Sequence, residues 1–237
     1  LLQNGLTQLQ YHQNNMGAFG GPDIVTDGLI FAVDAGSTRS YPGTGTVATD
    51  LVGSKTGTLT NGVGFNSSNG GSWDFDGTDD YINFGVTGFD FGTGNFNVSC
   101  WIKTTMTNAS YTGVVSKYST TGLWIQLTPT NKYVGFGWHG SIFLLSTTTP
   151  VNNGVWRHIS CQRTGSTTAE IYVDGVLITS GVGSSASSDS THQLDIGRID
   201  VSGRYFDGDI SNTMLYNKAL TAAEISQNYN AQKNRFI

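Results

Sequence analysis

The stretch Phe75-Asp76-Gly77-Thr78-Asp79-Asp80-Tyr81-Ile82 decides how this chain is read. Asp-Gly followed by Thr-Asp-Asp is turn chemistry: glycine takes positive φ freely, and aspartate side chains hydrogen-bond their own backbone two residues on. Apolar residues flank it, so the segment reads as a tight turn feeding a strand. Further along, Asp174-Gly175 between Tyr172-Val173 and Val176-Leu177-Ile178 is a two-residue hairpin turn. Strand-like runs lie at Leu29–Asp34, Ser72–Phe75, Tyr81–Phe84, Phe96–Lys103, Gly113–Lys117, Leu123–Leu127, Tyr133–Trp138 and Ile142–Leu145. They continue at Val155–Arg163, Ala169–Val173, Leu194–Arg198 and Gly208–Tyr216, with a long turn-rich loop expected from Ala35 to Thr58. Within one run Phe96, Val98, Cys100 and Ile102 share a face, as an antiparallel strand with one buried side requires. Near the end, Thr221 with Glu224 three residues on is a capping box, which predicts a short helix to about Gln232.

Many short strands without interleaved helices predict an all-β fold, a two-sheet antiparallel sandwich with a short C-terminal helix. Composition agrees, with 32 glycines, 4 prolines and 12% charged residues among 237. One main domain is expected over 25–237, preceded by an N-terminal arm over 1–24. In the arm, Leu2, Leu6 and Leu9 give a thin apolar stripe on about two helical turns before Gly20-Gly21-Pro22 breaks the pattern. Two readings stand there: a poorly structured leader that orders against its own domain or a neighbour, and an anchoring arm. No signal peptide is visible, and the chain lacks an initiator Met. A net charge of −5 with 12 dispersed Lys and Arg offers no stripe for phosphates, which argues against nucleic acid. The apolar runs fall short of the roughly 20 residues of a spanning helix, so membrane insertion is not expected.

Landmarks from Asp27 to Phe236 resemble the laminin G-like group of concanavalin A-like jelly-roll sandwiches. They are Phe75-Asp76-Gly77 with Asp80-Tyr81, Trp101-Ile102-Lys103, Ser116-Lys117, Trp156-Arg157-His158-Ile159, Ile171 to Gly175, Ile196-Gly197, Phe206 with Gly208, and Tyr216 to Ile225. The opening from Asp27 to Gly36, with Ser40-Tyr41-Pro42-Gly43, is similar to the version of this domain in structural proteins of tailed bacteriophages. That resemblance implies a virion structural protein decorating a capsid or tail, with a carbohydrate-binding adhesin as the alternative. Expected partners are other virion proteins, further copies of the chain and host glycan, with the virion surface as the location. The chain departs from the group at Ile210-Ser211-Asn212, where an Ile-Asp-Glu run is frequent, so an inherited metal site lacks that charged pair. Pentraxins, on the same sandwich, carry a disulfide between equivalent strands, which implies that Cys100 and Cys161 face each other and can bond. The alternative is two separate buried cysteines.

Catalytic chemistry is sparse. Glycoside hydrolysis on related sandwiches needs two carboxylates roughly 5 to 9 Å apart. The two glutamates do not supply them: Glu170 runs into the Asp174 turn, and Glu224 lies on the terminal helix. The histidines His12, His139, His158 and His192 show no metal-ligand spacing, and no serine sits in a nucleophile elbow. A non-enzymatic protein is therefore expected. No cofactor is required, although Asp34, Asp207 and Asp209 near the joined ends of the fold are candidate ligands for calcium, against a reading as solvated turns. Asp79 and Asp80 are read as turn residues bonding backbone amides. For ligand binding the candidates are aromatic: Trp138 and His139 at a hairpin end, with Tyr118 and Tyr205 near turns. Trp73, Trp101 and Trp156 are assigned to packing.

Overall fold

The computed structural model describes residues 22–139, 149–199 and 203–237, and the strand 142–145 by its backbone. Eighteen strands are numbered in chain order. They are β1 (Leu29–Asp34), β2 (Val47–Thr49), β3 (Thr56–Thr60), β4 (Gly64–Asn66), β5 (Ser72–Asp76), β6 (Tyr81–Asn83), β7 (Phe96–Lys103), β8 (Thr112–Tyr118) and β9 (Gly122–Leu127). Then come β10 (Val134–Trp138), β11 (Ile142–Leu145), β12 (Arg157–Thr164), β13 (Thr168–Val173), β14 (Val176–Val182), β15 (Asp195–Ile196), β16 (Arg198–Ile199), β17 (Arg204–Tyr205) and β18 (Asp207–Tyr216). The helix α1 (Ala222–Gln232) follows.

Sheet I runs β14-β13-β12-β7-β18-β5-β4, with β1 also pairing with β18. Sheet II runs β11-β10-β9-β8-β15-β6-β3-β2, and β16 and β17 form a separate two-stranded ribbon. Alternation along each strand sends one set of side chains between the sheets. Phe31, Phe75, Phe96, Val98, Ile159 and Ile171 of sheet I thus meet Ile82, Val115, Leu123, Ile125, Phe136 and Ile196 of sheet II in one buried cluster. The expected all-β sandwich is the observed architecture. Asp174 and Gly175 both take positive φ and join Val173 to the opposite Val176, the two-residue turn read from the sequence. Most runs hold to within a residue or two. The exception is the expected Ala35–Thr58 loop, which contains β2 and the start of β3; these pair Val47 with Thr58 at the edge of sheet II. β2, Val47-Ala48-Thr49, is only three residues long, and β3 has Leu59 as its one large apolar residue, too little for an alternation signal in the sequence.

The outer face of sheet I is also covered. Thr221 and Glu224 make the reciprocal capping bonds that start α1, and the chain beyond it lays Phe236 on Trp101 with ring centroids 4.3 Å apart. Nearby, Ile24, Val25, Ala32, Tyr172, Met214, Tyr216, Leu220 and Ile225 form a second apolar cluster. Asn228 accepts from Val25 N at 2.8 Å, and Tyr216 OH donates to Val25 O, so this segment is built into the domain. This double coverage explains why β7 is buried on both faces. Leu2, Leu6 and Leu9 lie outside the described residues.

The cysteines share the core face as parity requires, yet they are free thiols. Cys100 stands opposite Ile159 and Cys161 opposite Val98, an offset of two residues in register. Diagonal neighbours of this kind are roughly 7–8 Å apart, beyond the roughly 4.4–6.8 Å between Cα atoms that a disulfide accepts. The bonded pair implied by the pentraxin likeness is corrected to two separate buried thiols. Burial pushes the Cys100 thiol up to about 12, so it is unreactive.

Candidate functional site

With the outer face of sheet I under α1, the outer face of sheet II is where polar and aromatic side chains gather. Register places Ser116 between Trp124 of β9 and Asp195 of β15, and Asp195 beside Asn83 of β6. These residues alternate with Leu123, Ile125, Ile196 and Ile82, which point inward, so the row Trp124–Ser116–Asp195–Asn83 points outward. Tyr118, two residues beyond Ser116, shares that face and meets Trp124 with ring centroids 4.7 Å apart. The β16–β17 ribbon crosses this face: Ser116 Oγ donates to Arg198 O at 2.9 Å. Gly113 makes that crossing possible, since a Cβ there would sit 2.2 Å from Ile199 N.

Asp195 is the electrostatic centre. It is fully buried, accepting from Arg198 Nε and from Asn83 Nδ2, each at 2.9 Å. Desolvation by burial raises its pKa to about 6 even though Arg198 and Asn83 pull the other way. The Arg198 guanidinium in turn lies 3.4 Å from the ring centroid of Tyr81, a partly exposed aromatic on the same face. On the other side of the ribbon Arg204 donates to Gln126 Oε1 at 3.0 Å and lies over Tyr111. Trp124 is only 6% exposed, so it forms the floor, while the half-buried Tyr81, Tyr111, Tyr118 and Tyr205 form the rim.

Of the four expected aromatic contacts, three lie towards this region. Tyr118 is on the face, exposed His139 donates its backbone N–H to Gly122 O beside it, and Tyr205 pairs with Arg198 in the ribbon. Trp138 is turned the other way and is 1% exposed. It packs on Phe96 and Phe136, donates Nε1–H to Ser184 O at 3.0 Å and lies under the Arg163 guanidinium. Trp138 is therefore corrected from a surface platform to a core residue; it shares parity with Phe136, and only the closeness of the hairpin end suggested otherwise. Trp124 is the residue the sequence reading passed over. Its signal was there, an aromatic out of phase with Leu123, Ile125 and Leu127.

The expected calcium ligands are not gathered. Asp34 is bound by Arg235, whose Nη1 donates to both carboxylate oxygens at 2.8 Å. The same guanidinium donates to Asn69 O, Gly71 O and Ser211 Oγ. Oxygens that suit a cation thus hold an arginine already, and Ser211 is the position where an acidic residue was missed in the sequence. Asp209 accepts from Ser72 Oγ at 2.6 Å and lies 3.9 Å from Lys103 Nζ, while Asp207 stands opposite Asp76. The Asp34, Asp207 and Asp209 set is corrected accordingly. Arg235→Ala is expected to lower unfolding stability by about 2–3 kcal/mol in denaturant titration, because half-buried Asp34 loses its ion-pair partner; Arg235→Lys should recover little of it, since one ammonium cannot also replace the Nε and Nη2 bonds to Asn69 O, Gly71 O and Ser211 Oγ.

A model described as the concanavalin A-like lectin/glucanases superfamily matches residues 76–226. The chain belongs to this superfamily. Solved structures similar to this superfamily member share its fold at low identity. The binding domain of Paraclostridial Mosquitocidal Protein 1 is 15% identical with a TM-score of 0.72, the match covering 86% of this chain and 52% of that one. Domain 4 of an extracellular arabinanase from Geobacillus stearothermophilus, solved with arabinotriose, is 17% identical with a TM-score of 0.65, covering 85% and 98%. The botulinum neurotoxin type G receptor binding domain is 15% identical with a TM-score of 0.67, covering 87% and 52%. The chain spans about half the length of the mosquitocidal and botulinum domains. No curated protein sequence matches it.

Proposed function

We propose that this chain is a non-catalytic recognition module that holds a glycan against the outer face of sheet II. The observation that carries the reading is the arrangement on that face: half-exposed tyrosine rings for the apolar faces of a sugar, with the half-buried Asn83 and Arg204 beside them for hydroxyl groups, all held by the buried Asp195–Arg198 pair beneath. The arabinotriose complex of the arabinanase domain supports it by likeness of fold. Absence of catalysis is supported by the glutamates: Glu170 accepts from Gln162 and Tyr172 on the outer face of sheet I, while Glu224 is spent on the helix cap. For the setting, the likeness of the 27–43 opening to phage structural proteins supports a virion capsid or tail, at the particle surface.

A glycan array, followed by calorimetry on each hit, tests the binding reading. Tyr118→Ala and Tyr205→Ala are each expected to weaken binding roughly tenfold, the loss of one stacking face, with little change in melting temperature. An array without hits, or hits indifferent to both tyrosines, overturns it. Sugar release that stops when a carboxylate is changed would show an enzyme instead. Labelling of purified particles tests the virion setting, which unlabelled particles would reject.

A further inference from the structure

Arg204, on β17 at the rim of the sheet II face, differs from the other covered arginines. Arg157, Arg198 and Arg235 each have a carboxylate at 2.7–2.9 Å, from Asp174, Asp195 and Asp34 respectively. Arg163 is fully buried and donates to the backbone oxygens of Gly92, Ser166, Ser185 and Ala186. Arg204 is half-buried and makes no ion pair among the described residues. Its guanidinium is nevertheless held in place. Nη1 donates to Gln126 Oε1 at 3.0 Å, and the guanidinium carbon lies 5.2 Å from the ring centroid of Tyr111. Gln126 is itself 3% exposed, and its partner across β10 is Gly135, where a Cβ would lie 3.3 Å from Gln126 Cγ. Glycine inside a strand marks a place where another group comes close, and here that group is the side chain that pins the arginine.

A second cation belongs to the same corner. Lys132 is fully buried, and its Nζ donates to Asn108 O at 3.0 Å, to Asn108 Oδ1 at 2.6 Å and to Ser110 O at 2.8 Å, the residue before Tyr111. All three acceptors are neutral, so they satisfy the ammonium without cancelling its charge. Asp195, the buried carboxylate of this face, is already engaged by Arg198 and Asn83. A chain of net charge −5 thus keeps, among its described residues, two cations without an anion beside its tyrosine rim. A cation drawn partly out of water without an anion lacks the interaction that best offsets its desolvation.

We propose that Arg204 receives the carboxylate of an acidic sugar, so that the glycan selected on the sheet II face carries a uronic or sialic type of acid. This rests on the glycan reading above and names the class of sugar within it. With Nη1 given to Gln126, Nε and Nη2 bond to nothing among the described residues. Those two nitrogens form the edge of the guanidinium fork that matches both oxygens of a planar carboxylate. A neutral sugar offers that edge only hydroxyls, which accept more weakly than an ionised group does. The charge of Lys132 beneath Ser110 adds to the attraction for the acid and does nothing for the hydroxyls.

The test uses the full chain on a glycan array and then calorimetry with matched probes: sialyllactose against lactose, and trigalacturonate against galactotriose, each acid also in its carboxyl-reduced form. The acid of at least one pair should bind roughly tenfold or more tighter than its neutral counterpart, and carboxyl reduction should remove the advantage. Arg204→Gln, which keeps a group for hydroxyls but no charge, should bring the acid-to-neutral ratio to about one, and Arg204→Lys should restore it only in part. Raising sodium chloride from about 50 to 500 mM should weaken the acidic probes and spare the neutral ones. Glycans bound through Tyr118 and Tyr205 without preference for acid would overturn this inference and leave the glycan reading standing, whereas an absence of any glycan binding would overturn both. A preference for sulfated over carboxylated probes also overturns it, as does an acid preference that survives Arg204→Gln in a protein folded like the parent by circular dichroism. If that variant does not fold, the carboxyl-reduced probes on the parent carry the test.

Discussion

Trp138→Ala is expected to destabilise the fold by about 3–5 kcal/mol, the range for removing a large aromatic from a packed core. Against a total of about 5–15 kcal/mol for an ordinary domain this is a large share. The indole touches Phe96 and Phe136, fills the space beside Gly183 and supports the Arg163 guanidinium from below. Removing it leaves Ser184 O without its donor and an arginine over a void. Urea titration of parent and variant measures the loss from the shift in midpoint at constant slope. A change below about 1 kcal/mol would mean that the ring stands at the surface, as a sugar platform does, and the assignment of the outer face of sheet II would need to be redrawn.

Acid is expected to act through His158. The ring is fully buried beneath α1 between Trp101 and Tyr229, with centroid separations of 5.4 and 6.1 Å, and neither nitrogen has a hydrogen-bond partner among the described residues. Burial lowers its pKa from 6.5 to about 3. The unfolded chain therefore takes up a proton near 6.5 that the folded chain refuses until about 3, so stability is intact above 6.5 and falls with pH between those values. The slope approaches 1.4 kcal/mol per pH unit, or about 2–3 kcal/mol by pH 4.5. Asp195 works in the opposite direction: its raised pKa makes the folded state the better proton acceptor and adds stability as pH falls through about 6. Comparing the parent with His158→Phe cancels that contribution. The gap between the two unfolding free energies should widen in the variant's favour from pH 6.5 to 4, and parallel curves would show that His158 is not buried uncharged.

The sandwich was legible because its signals are local. The Asp76–Asp80 turn, the Asp174-Gly175 hairpin and the Thr221/Glu224 box each need only a few neighbouring residues, and each forms as read. Strand parity within Phe96–Ile102 likewise gave the correct inward face. What stayed hidden depends on distant partners. Nothing near Asp34 announces that Arg235 will take its carboxylate, and nothing near Cys100 reveals that the register offsets Cys161 by two. The candidate site was half visible. Tyr118 and Tyr205 were chosen for their turns, but Asp195 and Arg198 become a pair on a ringed face only once the β16–β17 ribbon folds across β8. Trp124 and Trp138 exchange the expected places because a hairpin end says less about exposure than the phase of the flanking residues does.

The Arg235–Asp34 clamp joins groups 201 residues apart, and β1 reaches its place in sheet I only by pairing with β18. On a ribosome adding roughly 5–20 residues per second, Asp34 emerges on the order of 10–40 s before its arginine exists. For that interval Phe31 and Val33 have no sheet to join, and the nascent segment is an apolar strand with open edges. Closure of sheet I therefore waits on β18, and a chain stalled before Asp207 would hold its earliest strand unclaimed.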